Sequence, residues 1–178
     1  LTQDHLDFHG SMENYLAAKC KLFDLLSRSG IMQNKTAIIN VDDPASENVM
    51  KHCHCNTITY GIHNTSDLHA VDLTVKSTGT KFKIRSHSGV VQLNLHVTGI
   101  FNVYNVLAAV GAALAENIRG DIICRALEDF KAVPGRFERV YSNAPFTVIV
   151  DYAHTPDGLE NVLKAARELT PKTANLIC

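Results

Sequence analysis

The chain has 178 residues, of which 46% are hydrophobic, so it is long enough to bury one hydrophobic core. Its 17 basic and 18 acidic residues leave a formal charge of −1, a balance that predicts neither a nucleic-acid nor a membrane partner. No apolar run reaches the ~20 residues of a membrane-spanning helix, and five scattered cysteines are more typical of a reducing, cytosolic compartment than of a disulfide framework.

The first ten residues carry a cluster of candidate metal ligands. Asp4, His5, Asp7 and His9 lie within six residues, directly ahead of a predicted helix. Carboxylate oxygens and imidazole nitrogens bind divalent cations. Since a merely polar loop explains the same spacing equally well, the segment is only a candidate metal site.

A helix is predicted over residues 11–27, with Ser11 as its N-cap and an apolar stripe at helical spacing. Lys19 falls on this stripe, one turn after Tyr15 and one turn before Phe23. Two interpretations remain open. Either the side chain extends along the helix and keeps its ammonium group in water, or the lysine is held inside as a reactive, neutral amine.

The following segments alternate strands and helices. Residues 36–40 predict a strand, residues 42–51 a short helix and residues 57–60 a further strand. Such alternation favours a mostly parallel sheet. The His-Cys-His-Cys run at residues 52–55 resembles a zinc-binding tract, but it lacks a second ligand pair at finger-like spacing, so a surface loop is the preferred interpretation.

The pattern changes between residues 68 and 98, where three segments alternate polar and apolar residues and are separated by glycine-containing turns. This pattern predicts an antiparallel meander with one face in water. Two helices are then predicted, over about 102–117 and 121–130. Asn102 and Asn105 open the first, and one of them is expected to cap it. Such asparagines at helix starts also contact nucleotides or anions.

Two polar segments near the end of the chain are candidate binding sites. Arg136 precedes a strand, where its guanidinium group either clamps a phosphate or faces water. A short strand, residues 147–150, runs into Asp151 and His154, two ionisable residues that the fold of the turn does not require. Because ligands of open α/β sheets bind at the carboxyl ends of strands, this turn is the strongest candidate site, with a solvated polar turn as the alternative.

The last helix is predicted over residues 156–169 with Thr155 as its N-cap. Together the elements predict an α/β fold, with a mostly parallel sheet flanked by helices and a small antiparallel subsheet. Residues 1–144 are expected to form part of a central domain, and residues 145–178 the start of a further domain. Because the chain starts without a methionine and residues 176–178 read as an opening strand, we expect a segment of a longer protein.

Several motifs, in this order, resemble those of the Mur ligases of peptidoglycan synthesis, and within that family the type that makes the UDP-MurNAc-tripeptide. The matches span essentially the whole chain: LTQDHLDFHG at 1–10, YLAAK at 15–19, NVDD at 40–43, GIFNVYN at 99–105, GRFE at 135–138 and DYAHTPD at 151–157. Each match is modest alone, but in register they are highly specific. The resemblance implies the central ATP-binding domain of such a ligase.

The resemblance also implies cofactors and site residues. ATP and Mg²⁺ are the expected cofactors, with His5 as a magnesium ligand. Lys19 matches the lysine that these enzymes carry as an N-carbamate in support of magnesium. The nucleotide is expected to meet Asn102 at the adenine, Arg136, Asp151 at the ribose hydroxyls, and His154 alongside.

The implied reaction activates the carboxylate of UDP-MurNAc-L-Ala-D-Glu with ATP and joins it to a diamino acid, meso-diaminopimelate or L-lysine. A cytoplasmic monomer is expected. The family's glycine-rich phosphate loop, which ends in Gly-Lys-Thr or Gly-Lys-Ser, is absent from the sequence and is expected upstream, so the segment alone is expected to be inactive. The alternatives are a folylpolyglutamate synthase-like ligase and a non-catalytic Mur-like nucleotide-binding protein.

Overall fold

The structure is a computed structural model that describes residues 1, 6–28, 30, 35–140 and 146–178. None of the helices in these ranges is long and apolar enough to cross a membrane. Most predicted elements are found close to their expected bounds. In chain order they are α1 (Leu6–His9), α2 (Met12–Arg28), β1 (Thr36–Asn40), α3 (Ser46–Lys51), β2 (Asn56–Gly61), β3 (Leu68–Lys76), β4 (Gly79–Ser86), β5 (Gly89–Leu95), α4 (Ile100–Ala115), α5 (Gly120–Asp129), β6 (Glu138–Val140), β7 (Val148–Val150) and α6 (Pro156–Leu169).

The larger sheet has five strands in the order β1-β2-β3-β4-β5. The β1–β2 and β2–β3 pairs are parallel, whereas β3–β4 and β4–β5 are antiparallel. The predicted α/β fold is thereby confirmed, and the antiparallel strands turn out to continue the same sheet. β6 and β7 form a separate, two-stranded antiparallel sheet.

Helix α4 lies against β1, β2 and β3 and closes the main core. Phe82 of β4 and Leu93 of β5 are almost completely buried on the same side. A Cβ atom added to Gly111 would lie 2.8 Å from Cγ2 of Ile38, so glycine lets the helix approach β1 closely. The helix buries one face, made of Val103, Val106, Leu107, Val110 and Gly111.

A smaller core forms around the second sheet. Phe137 is only 4% exposed and packs with Ala165 and Ala166 of α6. Phe101, in the first turn of α4, packs against this cluster, and its ring centroid lies 5.4 Å from that of Phe137. This edge-to-face contact connects α4 with the loop that precedes β6.

Two predicted helix starts are wrong. Helix α3 begins at Ser46 rather than at residue 42, because the carboxylate of Asp43 accepts the N–H of Ala45 and holds a turn there. Helix α4 begins at Ile100, so the N-cap position belongs to Gly99 and to neither asparagine. The left-handed backbone of Gly99, with φ of 97°, suits glycine at this point.

The strand predicted for residues 176–178 is also wrong, since these residues lie outside helices and strands. A strand needs a partner for its backbone groups, and none of the described strands pairs with this segment. Leu176 packs instead against the small core around Phe137. By contrast, Thr155 caps α6 as predicted, with its hydroxyl oxygen accepting the N–H of Gly158 at 3.2 Å.

Candidate functional site

Asp151 stands at the carboxyl end of β7, and both of its carboxylate oxygens accept backbone hydrogen bonds. Oδ1 accepts the N–H of Ala153 at 2.7 Å, and Oδ2 accepts the N–H of Phe137 at 2.6 Å. The second bond ties the end of β7 to the loop ahead of β6. The expectation that the fold does not require Asp151 is therefore wrong, because this carboxylate joins two segments of backbone.

The loop of residues 135–138 is held from several sides. The N–H of Gly135 donates to Oε2 of Glu138 at 2.7 Å, and its carbonyl accepts the N–H of Tyr152 at 2.7 Å. Phe137 has a φ of 47°, an uncommon value for a bulky residue. Its buried ring and its bond to Asp151 hold it in this strained conformation. Arg136 therefore projects from a loop whose backbone is well fixed.

Arg136, Tyr152 and His154 form an exposed cluster, in which the guanidinium group lies over the tyrosine ring and the two rings meet edge-to-face. The guanidinium carbon of Arg136 lies 5.4 Å from the ring centroid of Tyr152, whose ring centroid lies 4.9 Å from that of His154. Nδ1 of His154 lies 2.9 Å from the carbonyl oxygen of Tyr152. Because a carbonyl only accepts, Nδ1 carries a proton and Nε2 faces outward. Tyr152 was not predicted from the sequence as a site residue, although it lies in the chain between the candidates Asp151 and His154.

Asn102 lies in the first turn of α4 and is held by two side-chain hydrogen bonds. Its Nδ2 donates to the carbonyl of Thr98 at 2.8 Å, and its Oδ1 accepts from Nδ2 of Asn105 at 3.2 Å. Phe101 precedes Asn102 and Phe137 follows Arg136 in the chain. The contact between the two phenylalanine rings therefore places the first turn of α4, which carries Asn102, beside the loop that carries Arg136.

Lys19 of α2 is exposed, and its Nζ lies 5.2 Å from the ring centroid of Tyr15. The described residues therefore do not enclose the whole of Lys19, and both interpretations of its amine stay predictions. A groove beside α2 is lined by Lys19 and Phe23 of this helix, and also by Asn40 and Asp43 at the end of β1 and just after it. His5, the other predicted magnesium ligand, lies outside the described residues.

The groove beside Lys19 offers the donor type that Mg²⁺ prefers. Asn40, Asp43 and Ser46 place oxygen-bearing side chains along it. In the part of the chain that the structure describes, no three His, Cys, Asp or Glu side chains gather into a metal-binding group. Mg²⁺ usually takes one or two carboxylates and keeps several waters. Here Oδ1 of Asn40 accepts the N–H of Asp42, and the two carboxylate oxygens of Asp43 accept the N–H of Ala45 and the amine of Leu1, so these oxygens are already engaged.

The His-Cys-His-Cys run at residues 52–55 forms the connection between α3 and β2. Nδ1 of His52 lies 3.0 Å from Oδ1 of Asp24 on α2, and the N–H of His54 donates to the hydroxyl of Ser27. These contacts attach the connection to α2. Among described side chains the run belongs to no metal-binding group.

Asp42, which was not predicted from the sequence as a site residue, accepts five hydrogen bonds. Its carboxylate accepts the N–H groups of Ile62, His63 and Asn64 at 2.6, 3.0 and 2.8 Å, and Nδ2 of Asn64 at 3.0 Å. The hydroxyl of Tyr104 on α4 donates to the same carboxylate at 2.9 Å. The available signal was its position just after β1, the same reasoning that singled out Asp151.

These contacts change the titration of both partners. Partial burial acts to raise the pKa of Asp42, but hydrogen bonds from the three backbone N–H groups and from Tyr104 outweigh it and lower the pKa to about 2. Burial and the bond to Asp42 raise the pKa of Tyr104 to about 12. Asp42 is therefore an anion, and Tyr104 a neutral donor, over the whole physiological pH range.

The stability of the protein is expected to depend on pH through Asp42. Its pKa is about 2 in the folded chain against 3.8 for a free aspartate, so its contribution is complete above about pH 4 and is lost as the pH falls through about 2. We expect this group to contribute about 2 kcal/mol to the free energy of unfolding. Urea unfolding of wild type and Asp42→Asn from pH 5 to pH 2 measures it: the difference between the two should shrink. A difference that does not change with pH would contradict the assignment.

Two family models match the chain. That of the Mur ligase middle domain matches residues 1–113, and that of the Mur ligase glutamate ligase domain matches residues 135–178. A curated relative from Halalkalibacterium halodurans is 48% identical over 169 residues, which cover 95% of this chain and 34% of the relative. That relative is named UDP-N-acetylmuramoyl-L-alanyl-D-glutamate–2,6-diaminopimelate ligase.

Solved structures agree with these matches. A UDP-N-acetylmuramoyl-L-alanyl-D-glutamate–2,6-diaminopimelate ligase superimposes with a TM-score of 0.77 at 31% identity and covers 97% of this chain and 35% of that one. MurF from Acinetobacter baumannii shares the fold, with a TM-score of 0.80 at 22% identity over 94% of this chain and 35% of that one. The chain spans about a third of the length of the curated relatives that it matches.

Proposed function

The chain belongs to the Mur ligase family, and from this premise we propose that it is part of an ATP-dependent ligase that adds 2,6-diaminopimelate to UDP-N-acetylmuramoyl-L-alanyl-D-glutamate. The observation that carries the proposal is the identity of 48% to a relative with this name, extending over 95% of the chain. L-Lysine is the alternative diamino acid.

The nucleotide is proposed to bind across the two sheets, where α4 meets the loop of residues 135–138. Asn102 contacts the adenine, and Arg136 supplies a positive charge to the nucleotide. Asp151 holds the ribose hydroxyls: its two oxygens each accept one backbone bond, and a carboxylate has about four acceptor positions, so it can still accept from a hydroxyl. His154 lies alongside with Nε2 outward. The support for this arrangement is the contact between Phe101 and Phe137.

The proposed chemistry has two steps. A carboxylate oxygen of the substrate attacks the γ-phosphorus of ATP, and ADP leaves an acyl phosphate behind. The amine of the diamino acid then attacks the acyl carbon, phosphate leaves, and the amine loses a proton as the amide forms. Both steps move negative charge, so the protein's task is to place cations and hydrogen-bond donors around the phosphoryl group.

Mg²⁺ would supply charge neutralisation at the phosphates, held by His5 and by Lys19 as an N-carbamate. The carbamate forms when the neutral amine of Lys19 attacks CO₂ and releases a proton, which converts a cation into an oxygen donor. Asn40 and Asp43 line the same groove, but their oxygen atoms already accept hydrogen bonds within the protein. A magnesium ion held by His5 and the carbamate would retain much of its water.

The chain is proposed to join part of the middle domain to the start of the C-terminal domain, in a cytoplasmic, monomeric enzyme. The boundary expected at residue 145 remains a prediction. Because β6 pairs with β7 and the second family match begins at residue 135, a boundary ahead of β6 has support as well. The described residues alone are proposed to be inactive.

The test is an assay of phosphate release by the full-length protein with ATP, Mg²⁺ and UDP-MurNAc-L-Ala-D-Glu, with meso-diaminopimelate or L-lysine added in turn. We expect release that depends on meso-diaminopimelate. Release that depends on L-lysine would show that L-lysine is the amino acid added. Activity on a folate with glutamate would instead identify a folylpolyglutamate synthase-like ligase. No release from a folded protein that binds ATP would favour a non-catalytic relative.

A further inference from the structure

Asp42 is a fixed point at the carboxyl edge of the main sheet. It follows β1 and accepts three successive backbone N–H groups from the segment after β2. A Cβ on Gly61 would lie 3.1 Å from Oδ1 of Asp42, so the absence of a side chain at Gly61 lets the carboxylate sit this close. A carboxylate held by so many bonds cannot shift without breaking several of them.

Tyr104 connects this fixed point to α4. Its hydroxyl donates to Oδ2 of Asp42 at 2.9 Å, across 62 residues of sequence. Since Asp42 is anchored to two strand ends, the bond restrains the tyrosine and its helix rather than the aspartate. A hydrogen bond to an ionised acceptor is directional and stronger than one between neutral groups.

Two other contacts restrain the start of α4: the ring of Phe101 packs against the small core around Phe137, and the hydroxyl of Thr98 donates to the carbonyl of Lys76 on β3 at 2.6 Å. The N-cap of α4, Gly99, makes no side-chain capping bond. The buried face of the helix begins at Val103, and apolar packing is not directional. Asn102 itself bonds to Thr98 and Asn105, both on the same segment of chain. The bond from Tyr104 adds a restraint that ends on an ionised carboxylate, which is itself held by several hydrogen bonds.

We propose that Asp42 and Tyr104 are a pair of positioning residues that set the rotation of the first turn of α4 and thereby place Asn102 against the nucleotide. The inference rests on the proposed function, in which Asn102 contacts the adenine. With helix side chains at a radius of about 5–6 Å, a rotation of about 10° displaces them by about 1 Å. A displacement of that size weakens a hydrogen bond markedly.

The experiment compares Tyr104→Phe with Tyr60→Phe in the full-length ligase. Both changes remove only a hydroxyl, and Tyr60 of β2 is close enough to Tyr104 to influence its titration electrostatically. Binding of ADP is measured by calorimetry, and KM for ATP and kcat by phosphate release. We expect Tyr104→Phe to raise both the Kd for ADP and the KM for ATP about fivefold, the equivalent of one hydrogen bond, while kcat stays within about twofold. Tyr60→Phe should match wild type.

A second comparison separates positioning from general loosening of the fold. In an Asp42→Ala background, Tyr104→Phe should have no further effect on ADP binding, because alanine offers the tyrosine hydroxyl no acceptor and the two residues act through one contact. Wild-type ADP affinity in Tyr104→Phe would overturn the inference while leaving the proposed function intact. An equal loss in Tyr60→Phe would also overturn it. Failure of the wild-type protein to bind ADP would instead overturn the proposed function, and the inference with it.

Discussion

Replacing Lys19 with alanine in the full-length ligase is expected to reduce amide formation by roughly 10²–10³-fold, the loss typical of removing one group that stabilises transition-state charge. Alanine cannot form a carbamate, so the magnesium support proposed for this position disappears. Because the Lys19 side chain is exposed, its removal should leave the folded structure unchanged. Steady-state phosphate release and thermal unfolding measure the two quantities separately.

The control for this experiment is Lys21→Ala, since Lys21 is another exposed lysine of α2. It should retain wild-type activity. Acetate should partly restore the activity of Lys19→Ala by supplying the missing carboxylate. Full activity without acetate would mean that Lys19 is simply a surface lysine.

Replacing Asp42 with asparagine is expected to lower the free energy of unfolding by roughly 3 kcal/mol at neutral pH. Asparagine offers one acceptor oxygen where the carboxylate has two, and its amide group would point N–H donors at backbone N–H groups. Some of the donors from Ile62, His63, Asn64 and Tyr104 would then lose their acceptor. Urea unfolding of the two proteins at pH 7 measures the loss.

Asp72→Asn is the matched control for this substitution. Asp72 pairs with Lys83 at 2.8 Å, but 65% of its side chain is exposed, and exposed ion pairs contribute little to stability. Asparagine also tolerates the left-handed backbone of Asp72, where φ is 55°. A similar loss in both variants would show that charge removal, rather than the hydrogen bonds of Asp42, explains the effect.

The sequence predicted the individual elements well because their patterns are local. The alternation of Thr80, Phe82 and Ile84 with exposed residues gives β4 its buried face, and Thr155 with Pro156 specifies the start of α6. Local sequence patterns gave the wrong helix start where more than one residue could serve as the N-cap. Asn102 resembles an N-cap, but Gly99 takes that position since its backbone adopts a conformation that asparagine enters less readily.

Likewise, some features of the candidate site were predicted from the sequence and others were not. From the sequence, Asp151 and His154 were candidate site residues because they follow a predicted strand, where ligands of α/β sheets bind. Arg136 was a candidate because a guanidinium group can clamp a phosphate. The mutual arrangement of these residues was not predicted: the bond between Asp151 and Phe137 and the position of Arg136 over Tyr152 depend on the pairing of β6 with β7.

The sequence by itself determined the family resemblance, the α/β class and most of the secondary structure, since motifs and hydrophobic periods are properties of neighbouring residues. Only the tertiary structure decided that Lys19 is exposed and that Asp42 joins β1, the segment after β2 and Tyr104 on α4. The physical reason is separation along the chain. A carboxylate acquires its partners when strand ends 20 residues apart and a helix 62 residues away are brought to one edge of the sheet.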